Sequence, residues 1–134
     1  DIMFVFTSAS AQSHINSNSV IDISGISKQT LMAAPYNYSE SYATKMASML
    51  FFDKVSTSDF TMNGNSQVKM DGTFYMPLRE AKFNGNSTQS GKCIMIASKS
   101  ITFLGNDALN NFCVPANASA MNIGGGTASV TLVG

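Results

Sequence analysis

Cys93 and Cys113 are the chain's two cysteines, and they lie 113 − 93 = 20 residues apart. That distance equals the internal repeat described below. Residues one repeat apart in a stack of parallel strands are neighbours, about 4.8 Å apart, which is close to the Cα separation that a disulfide spans. Closing a loop of about 20 residues would stabilise the fold by roughly 3 kcal/mol in the chain-entropy model. Two buried free thiols are the alternative, and only the bonded form implies an oxidising compartment. His14 is the single histidine, so a zinc site is not expected. No G-x-S-x-G element supports a serine nucleophile. The acids are Asp1, Asp22, Glu40, Asp53, Asp59, Asp71, Glu80 and Asp107. The repeat alignment sets Asp22 on Lys69 and Asp71 on Ser24, and no two acids are expected to stack in consecutive units. Neither a carboxylate pair for glycoside hydrolysis nor a cation cluster is therefore anticipated, and no cofactor is. Tyr36, Tyr38 and Tyr42 are the candidate ligand or partner surface, with packing against the sheet as the alternative role.

The elements that must position these residues are set by repetition. Gly64-Asn65, Gly85-Asn86 and Gly105-Asn106 recur at spacings of 85 − 64 = 21 and 105 − 85 = 20. Each follows an alternating apolar segment: Phe60-x-Met62, Ala81-x-Phe83 and Ile101-x-Phe103. A fixed period with two-residue alternation inside each unit points to stacked short strands. Gly and Asn suit the corners because both tolerate positive φ. The stretch from Ile15 to Gly25 lies over Met62 to Gly72 without a gap, at an offset of 62 − 15 = 47. The extra length is an insertion at 26–48. Within it Pro35 breaks any helix, and Ser39 opens a short one with Glu40 and Ser41 in its first turn.

Composition bounds the function. A length of 134 residues predicts one domain, and 44% apolar content can build a core. Charged residues are only 12% and the net charge is zero, which leaves no field for nucleic acid or anionic lipid. Ser, Thr, Asn and Gly supply the polar surface instead. No run of 18 apolar residues is present to span a bilayer. The opening Asp1-Ile2-Met3 lacks a charged leader pattern, which reads as an excised piece of a longer chain.

Met49–Phe52, Thr73–Met76 and Cys93–Ala97 read as strands apolar on both faces, with Met3–Phe6 a fourth. Such strands are covered on both sides, and the helix after Ser39 is the nearest cover. Gly72 and Pro77 read as turn residues bracketing one strand, and 87–92 reads as a polar loop. Residues 114–134 form a C-terminal extension with a Gly124-Gly125-Gly126 joint and a closing strand at 127–133. The expected fold class is all-β, a right-handed parallel β-helix (solenoid) of about four short turns with an inserted loop or short helix at 26–48. An antiparallel β-sandwich is the runner-up.

Several of these residues carry a resemblance. Met49-Leu50-Phe51-Phe52-Asp53 after Ala34-Pro35, Gly72-Thr73-Phe74-Tyr75-Met76-Pro77 and Phe83-Asn84-Gly85-Asn86-Ser87 are similar to the C-terminal region of TadG-like proteins of the Tad/Flp (tight-adherence) pilus assembly system. So is the last Cys-bracketed turn, with Cys93, Ile96, Ile101, Phe103, Gly105, Asn106, Leu109 and Cys113. The resemblance implies a non-enzymatic, extracytoplasmic envelope module for pilus assembly and surface adhesion. It also supports the Cys93–Cys113 bond. Its expected partners are other pilus or envelope proteins, or the remainder of its own chain. It carries over no catalytic residue. The rival readings are an adhesin-type carbohydrate- or surface-binding module and a polymer-forming, bactofilin-like filament.

Overall fold

The fold is described from a computed structural model of the 134-residue chain. It describes residues 1–16, 20–63, 67–85, 88–105 and 108–112. Eight strands form one sheet: β1 (Phe4–Phe6), β2 (Ser13–Asn16), β3 (Val20–Ser24), β4 (Met49–Asp53), β5 (Phe60–Asn63), β6 (Gln67–Gly85), β7 (Thr88–Gly105) and β8 (Ala108–Phe112). Two helices, α1 (Lys28–Met32) and α2 (Glu40–Met46), lie between β3 and β4. Every ladder among the described residues is parallel.

The long strands β6 and β7 organise the sheet: β3, β4 and β5 pair with successive segments of β6, β8 pairs with β7, and β1 and β2 join through β4 and β5. In the first row Ile21 of β3 pairs with Val68, Val68 with Gln89, and Gln89 with Leu109 of β8. In the second, Phe4 of β1 pairs with Phe51, Phe51 with Phe74, and Phe74 with Ile96. In the third, Ile15 of β2 pairs with Met62, Met62 with Phe83, and Phe83 with Phe103. The gapless sequence match is thus the hydrogen-bonded register: Ile15 opposes Met62, and Ile23 opposes Met70.

The expected right-handed β-helix of about four short turns is corrected. Strand accounts for 58% of the structure, yet it forms one curled parallel sheet on which helices pack, an α/β-like arrangement, and a right-handed solenoid is not shown. The repeat did not reveal that β6 runs 19 residues and β7 runs 18. Gly72 and Pro77 read as turn residues but lie inside β6. The register shifts between Val68 and Gly72 and again between Met76 and Glu80, so both residues mark bends within a strand. The polar stretch at 87–92 was expected to be a loop. From Thr88 onward it is strand, because parallel ladders need backbone groups rather than apolar side chains.

The main core lies on the inner side of the second and third rows. It comprises Leu50, Phe51, Phe60, Met62, Met70, Phe74, Met76, Ala81, Phe83 and Ile94. The rings interlock: Phe51 stacks on Phe74 at 4.7 Å, and Phe60 meets Phe74 edge-on at 5.8 Å. A second cluster covers the outer side of the second row. There Leu31 of α1 and Ala43 and Met46 of α2 pack with Ile26 and Met49 against Met3, Phe52 and Tyr75. The helix after Ser39 is therefore the cover that the doubly apolar strands required, and α1 joins it.

The insertion leaves and re-enters the sheet at one tight point. Gly25 N–H donates to Asp71 O at 2.7 Å, and Thr73 N–H donates to Ser48 O at 2.7 Å. A Cβ on Gly25 would collide with the Ser48 carbonyl, and one on Gly72 would sit 2.7 Å from the same oxygen. Gly72 also adopts φ of 149°, and Ser48 adopts φ of 63°. The match of Gly25 with Gly72 thus marks a close backbone approach.

Candidate functional site

The insertion builds the most distinctive surface of the molecule. Ser27 caps α1 by accepting from Thr30 N–H at 3.1 Å. The helix ends at Met32, because Pro35 holds the residue before it out of helical geometry. The chain then folds back on itself. Tyr36 and Asn37 N–H both donate to Ala33 O, and Tyr38 N–H donates to Leu31 O, each at 3.0 Å. Asn37 sits at φ of 51°, which its short polar side chain tolerates. Ser39 caps α2 by accepting from Tyr42 N–H at 3.3 Å. Lys28 of α1 pairs with Glu40 of α2 at 2.7 Å. That hydrogen bond and charge hold the Glu40 carboxyl below its usual range.

This scaffold presents Tyr36, Tyr38 and Tyr42 together, 50%, 43% and 45% exposed. The Tyr36 and Tyr38 rings stack at 6.3 Å with 17° between planes, and Tyr38 meets Tyr42 at 4.8 Å and 42°. Three rings contact one another on hydrogen-bonded backbone while keeping about half their surface in water. A cleft of about 310 Å³ opens beside them, lined by Tyr36, Tyr38, Ile2, Val5, Leu31 and Asp1 among others. The Asp1 carboxylate accepts from Thr30 Oγ1 at 2.8 Å. Flat rings with hydroxyl tips and an adjacent cleft of mixed polar and apolar lining suit the ring faces of sugars or a partner's amphipathic side chains. The remaining half of these rings is covered, and Tyr36 and Tyr38 share the cleft wall with Val5 of β1 and Leu31 of α1.

Two polar groupings were not anticipated. Arg79, the only arginine, is fully buried together with Asp53. Arg79 Nη1 lies 3.2 Å from Asp53 Oδ2, its Nε donates to Ser58 O at 2.6 Å and its Nη1 to Ser13 Oγ at 3.0 Å. Nη2 donates to Ala11 O, and the guanidinium lies 5.1 Å from the Phe6 ring centre. Asp53 Oδ1 accepts from Val55 and Ser56 N–H at 2.9 and 2.8 Å. Burial pulls the Arg79 pKa down while the Asp53 and Asp59 charges pull it up. The group fastens the β1–β2 and β4–β5 connections to the second bend of β6, and it has no access to a substrate.

The other grouping corrects an expectation about the acids. Asp59 and Glu80 lie 80 − 59 = 21 residues apart, beside the paired Phe60 and Ala81, and so do stack one repeat apart. Lys82 Nζ bridges them, 2.6 Å from Asp59 Oδ2 and 3.5 Å from Glu80 Oε2. Thr102 Oγ1 donates to Glu80 Oε1 at 2.5 Å. The hydrogen bond that Lys82 Nζ donates to Asp59 raises the Lys82 pKa, so the amine stays charged and is no nucleophile. Both acids are committed to this half-exposed network. Next to it runs an asparagine ladder: Asn84 Nδ2 donates to Asn63 Oδ1 at 2.8 Å, and Asn63 Nδ2 to Asn16 Oδ1 at 2.9 Å. Leu104 takes the next place in that column.

His14 stands exposed on β2 opposite Thr61. Among the described residues no group of three or more His, Cys, Asp or Glu could hold a metal ion, and no helix is long and apolar enough to cross a membrane. Cys93 is half-buried on β7, whereas Cys113 lies outside the described residues. Gly85 and Gly105 oppose each other in register. The other corner residues, Gly64, Asn65, Asn86 and Asn106, lie outside the described residues, as does the closing strand at 127–133. Comparison of the chain with protein-family models, curated proteins and solved structures returned no match.

Proposed function

We propose that the chain is a non-enzymatic attachment module of a bacterial envelope that makes contact through Tyr36, Tyr38 and Tyr42. The observation that carries this reading is the three-ring platform, half exposed on a hydrogen-bonded scaffold beside a cleft of mixed lining. Rings of that exposure lose stacking area to water unless a ligand covers them. The envelope location and the pilus association rest on the resemblance to TadG-like proteins, and a Cys93–Cys113 bond belongs to the same reading. The uncharged ligand class follows from the zero net charge and from the tyrosine hydroxyls, which donate and accept hydrogen bonds without a fixed charge.

The test uses the protein's own chromophores. The chain has four tyrosines and no tryptophan, so intrinsic tyrosine emission reports chiefly on the platform. Titration with neutral β-linked oligosaccharides changes that emission saturably, and Tyr38→Ala weakens the affinity at least tenfold, about 1.4 kcal/mol. Tyr75→Phe, at the partly buried ring packed against the α1–α2 cluster, leaves the affinity unchanged. An unchanged emission up to millimolar oligosaccharide, or equal affinity in Tyr38→Ala, refutes the sugar-binding role.

A further inference from the structure

The two ends of the sheet fit one another. At one end the outermost strands are β1, β2 and β3, each paired on a single side only among the described residues. At the other end the first row is closed by β8, which pairs with Thr88, Gln89, Ser90 and Ile94 of β7. Beyond Ile94 the far edge of β7, through the second and third rows, has no strand partner among the described residues. That edge carries apolar side chains in water: Ile101, Phe103 and Leu104 are 41%, 41% and 57% exposed. The opposite edge does likewise at Val5 and Val20, 52% and 80% exposed. An open, apolar strand edge is a template for further pairing.

We propose that a second copy of this chain docks head-to-tail on β7, its β1 and β2 edges extending the second and third rows. Three observations select that occupant. All ladders are parallel, so the two ends present the same strand direction and a copy joins without reversing. The steps are complementary: the end closed by β8 lacks the second and third rows, and those rows begin the other end as β1 and β2. The registers then continue the columns already present. Phe4 of the second copy falls on Ile96, after Phe51 and Phe74. Its Ile15 falls on Phe103, after Met62 and Phe83, and its His14 on Thr102. Its β3 meets β8 in the first row. Such a contact joins unlike surfaces and does not close on itself, so the product is an open series of copies.

The experiment pairs a solution measurement with a position-specific cross-link. Sedimentation velocity of the full chain from about 1 to 100 μM, a range that brackets a weak strand-edge contact, shows concentration-dependent species beyond a dimer. His14→Cys and Thr102→Cys are then combined. Both positions are on the outward side of the third row, where a substitution leaves the core untouched. Within one chain they are three strand spacings apart, roughly 14 Å at about 4.8 Å each, beyond the roughly 7 Å limit for a disulfide. Mild oxidation of the double variant therefore yields a ladder of dimers, trimers and longer products on a non-reducing gel. Each single variant, which also controls for the native cysteines, gives no product beyond a dimer. A monomer at every concentration with no ladder overturns the proposal and leaves the edge to residues 113–134 or to a different partner. A dimer as the sole product overturns it too, because an unlike contact cannot stop at two.

Discussion

Replacing Arg79 by methionine isolates the energetics of its buried ion pair with Asp53. Methionine is close in volume and reach, so the change removes charge and donors more than packing. Asp53 then stays fully buried with Oδ2 facing no cation, Ser13 Oγ and Ser58 O lose the donor that Arg79 supplied, and Ala11 O keeps only Ser56 Oγ. Removing one partner of a buried pair costs about 3–5 kcal/mol, because the remaining charge has neither water nor counter-ion. A domain of this size has about 5–15 kcal/mol of stability, so the variant forfeits roughly a fifth of it or more. At about 3–5 °C per kcal/mol for a chain of this length, the melting midpoint falls by roughly 10–20 °C. Urea unfolding followed by far-UV circular dichroism measures the loss directly. The double variant Asp53→Asn with Arg79→Met separates charge from packing: Asn still accepts from Val55 and Ser56 N–H but carries no charge. It recovers at least about 1 kcal/mol relative to Arg79→Met alone. Arg79→Lys lies between, since a single ammonium cannot serve Asp53, Ala11 and Ser58 together. A loss below about 1 kcal/mol, the size seen for exposed pairs, or a double variant no more stable than Arg79→Met, refutes the reasoning.

Gly25→Ala forces a Cβ onto the Ser48 carbonyl where three segments of backbone meet. Overpacking against backbone costs about 1–3 kcal/mol or more, read as a lowered urea midpoint at unchanged slope, and an unchanged midpoint shows that the insertion joins the sheet more loosely than described. The Lys82 network predicts a response to alkali. The folded-state pKa of Lys82 is raised by Asp59, so its contribution is fully present below the unfolded lysine value near 10.4 and is lost as pH rises through the folded value. The stability difference between wild type and Lys82→Met therefore shrinks as pH rises above the unfolded lysine value near 10.4. A difference that stays constant above that value excludes a differential lysine titration.

Much of the register was legible because it repeats. Apolar residues recurring in phase had to share a face, so Ile15 over Met62 and Phe83 under Phe103 followed from spacing alone. The shape the register takes was not legible. Gly72 and Pro77 carry the same local preferences whether a strand ends there or merely bends, and the difference lies in hydrogen bonds from strands β4, β5 and β7 that are distant in sequence. The polar stretch in β7 was opaque for a related reason, because ladder pairing draws on N–H and C=O groups that every residue but proline has.

The site residues divide along a similar line. The tyrosines were found because their type and clustering in one short insertion are visible without a fold, although only the fold shows that their rings touch. Arg79 was missed because a buried arginine is defined by what closes over it. The remaining signal was its uniqueness, the single arginine among eight basic residues, placed just past Pro77 at the end of the apolar segment Thr73–Met76. Asp59 and Glu80 were missed for a more instructive reason. The alignment was read between 15–25 and 62–72, whereas these acids are related by the shorter repeat of 21 that the Gly-Asn corners already displayed. Applied to every charged position, that repeat also places Lys82 opposite Thr61 and Thr102. A polar network on the outside of the third row was thus derivable from the period, with the residues of the hydrophobic columns serving only as its ruler.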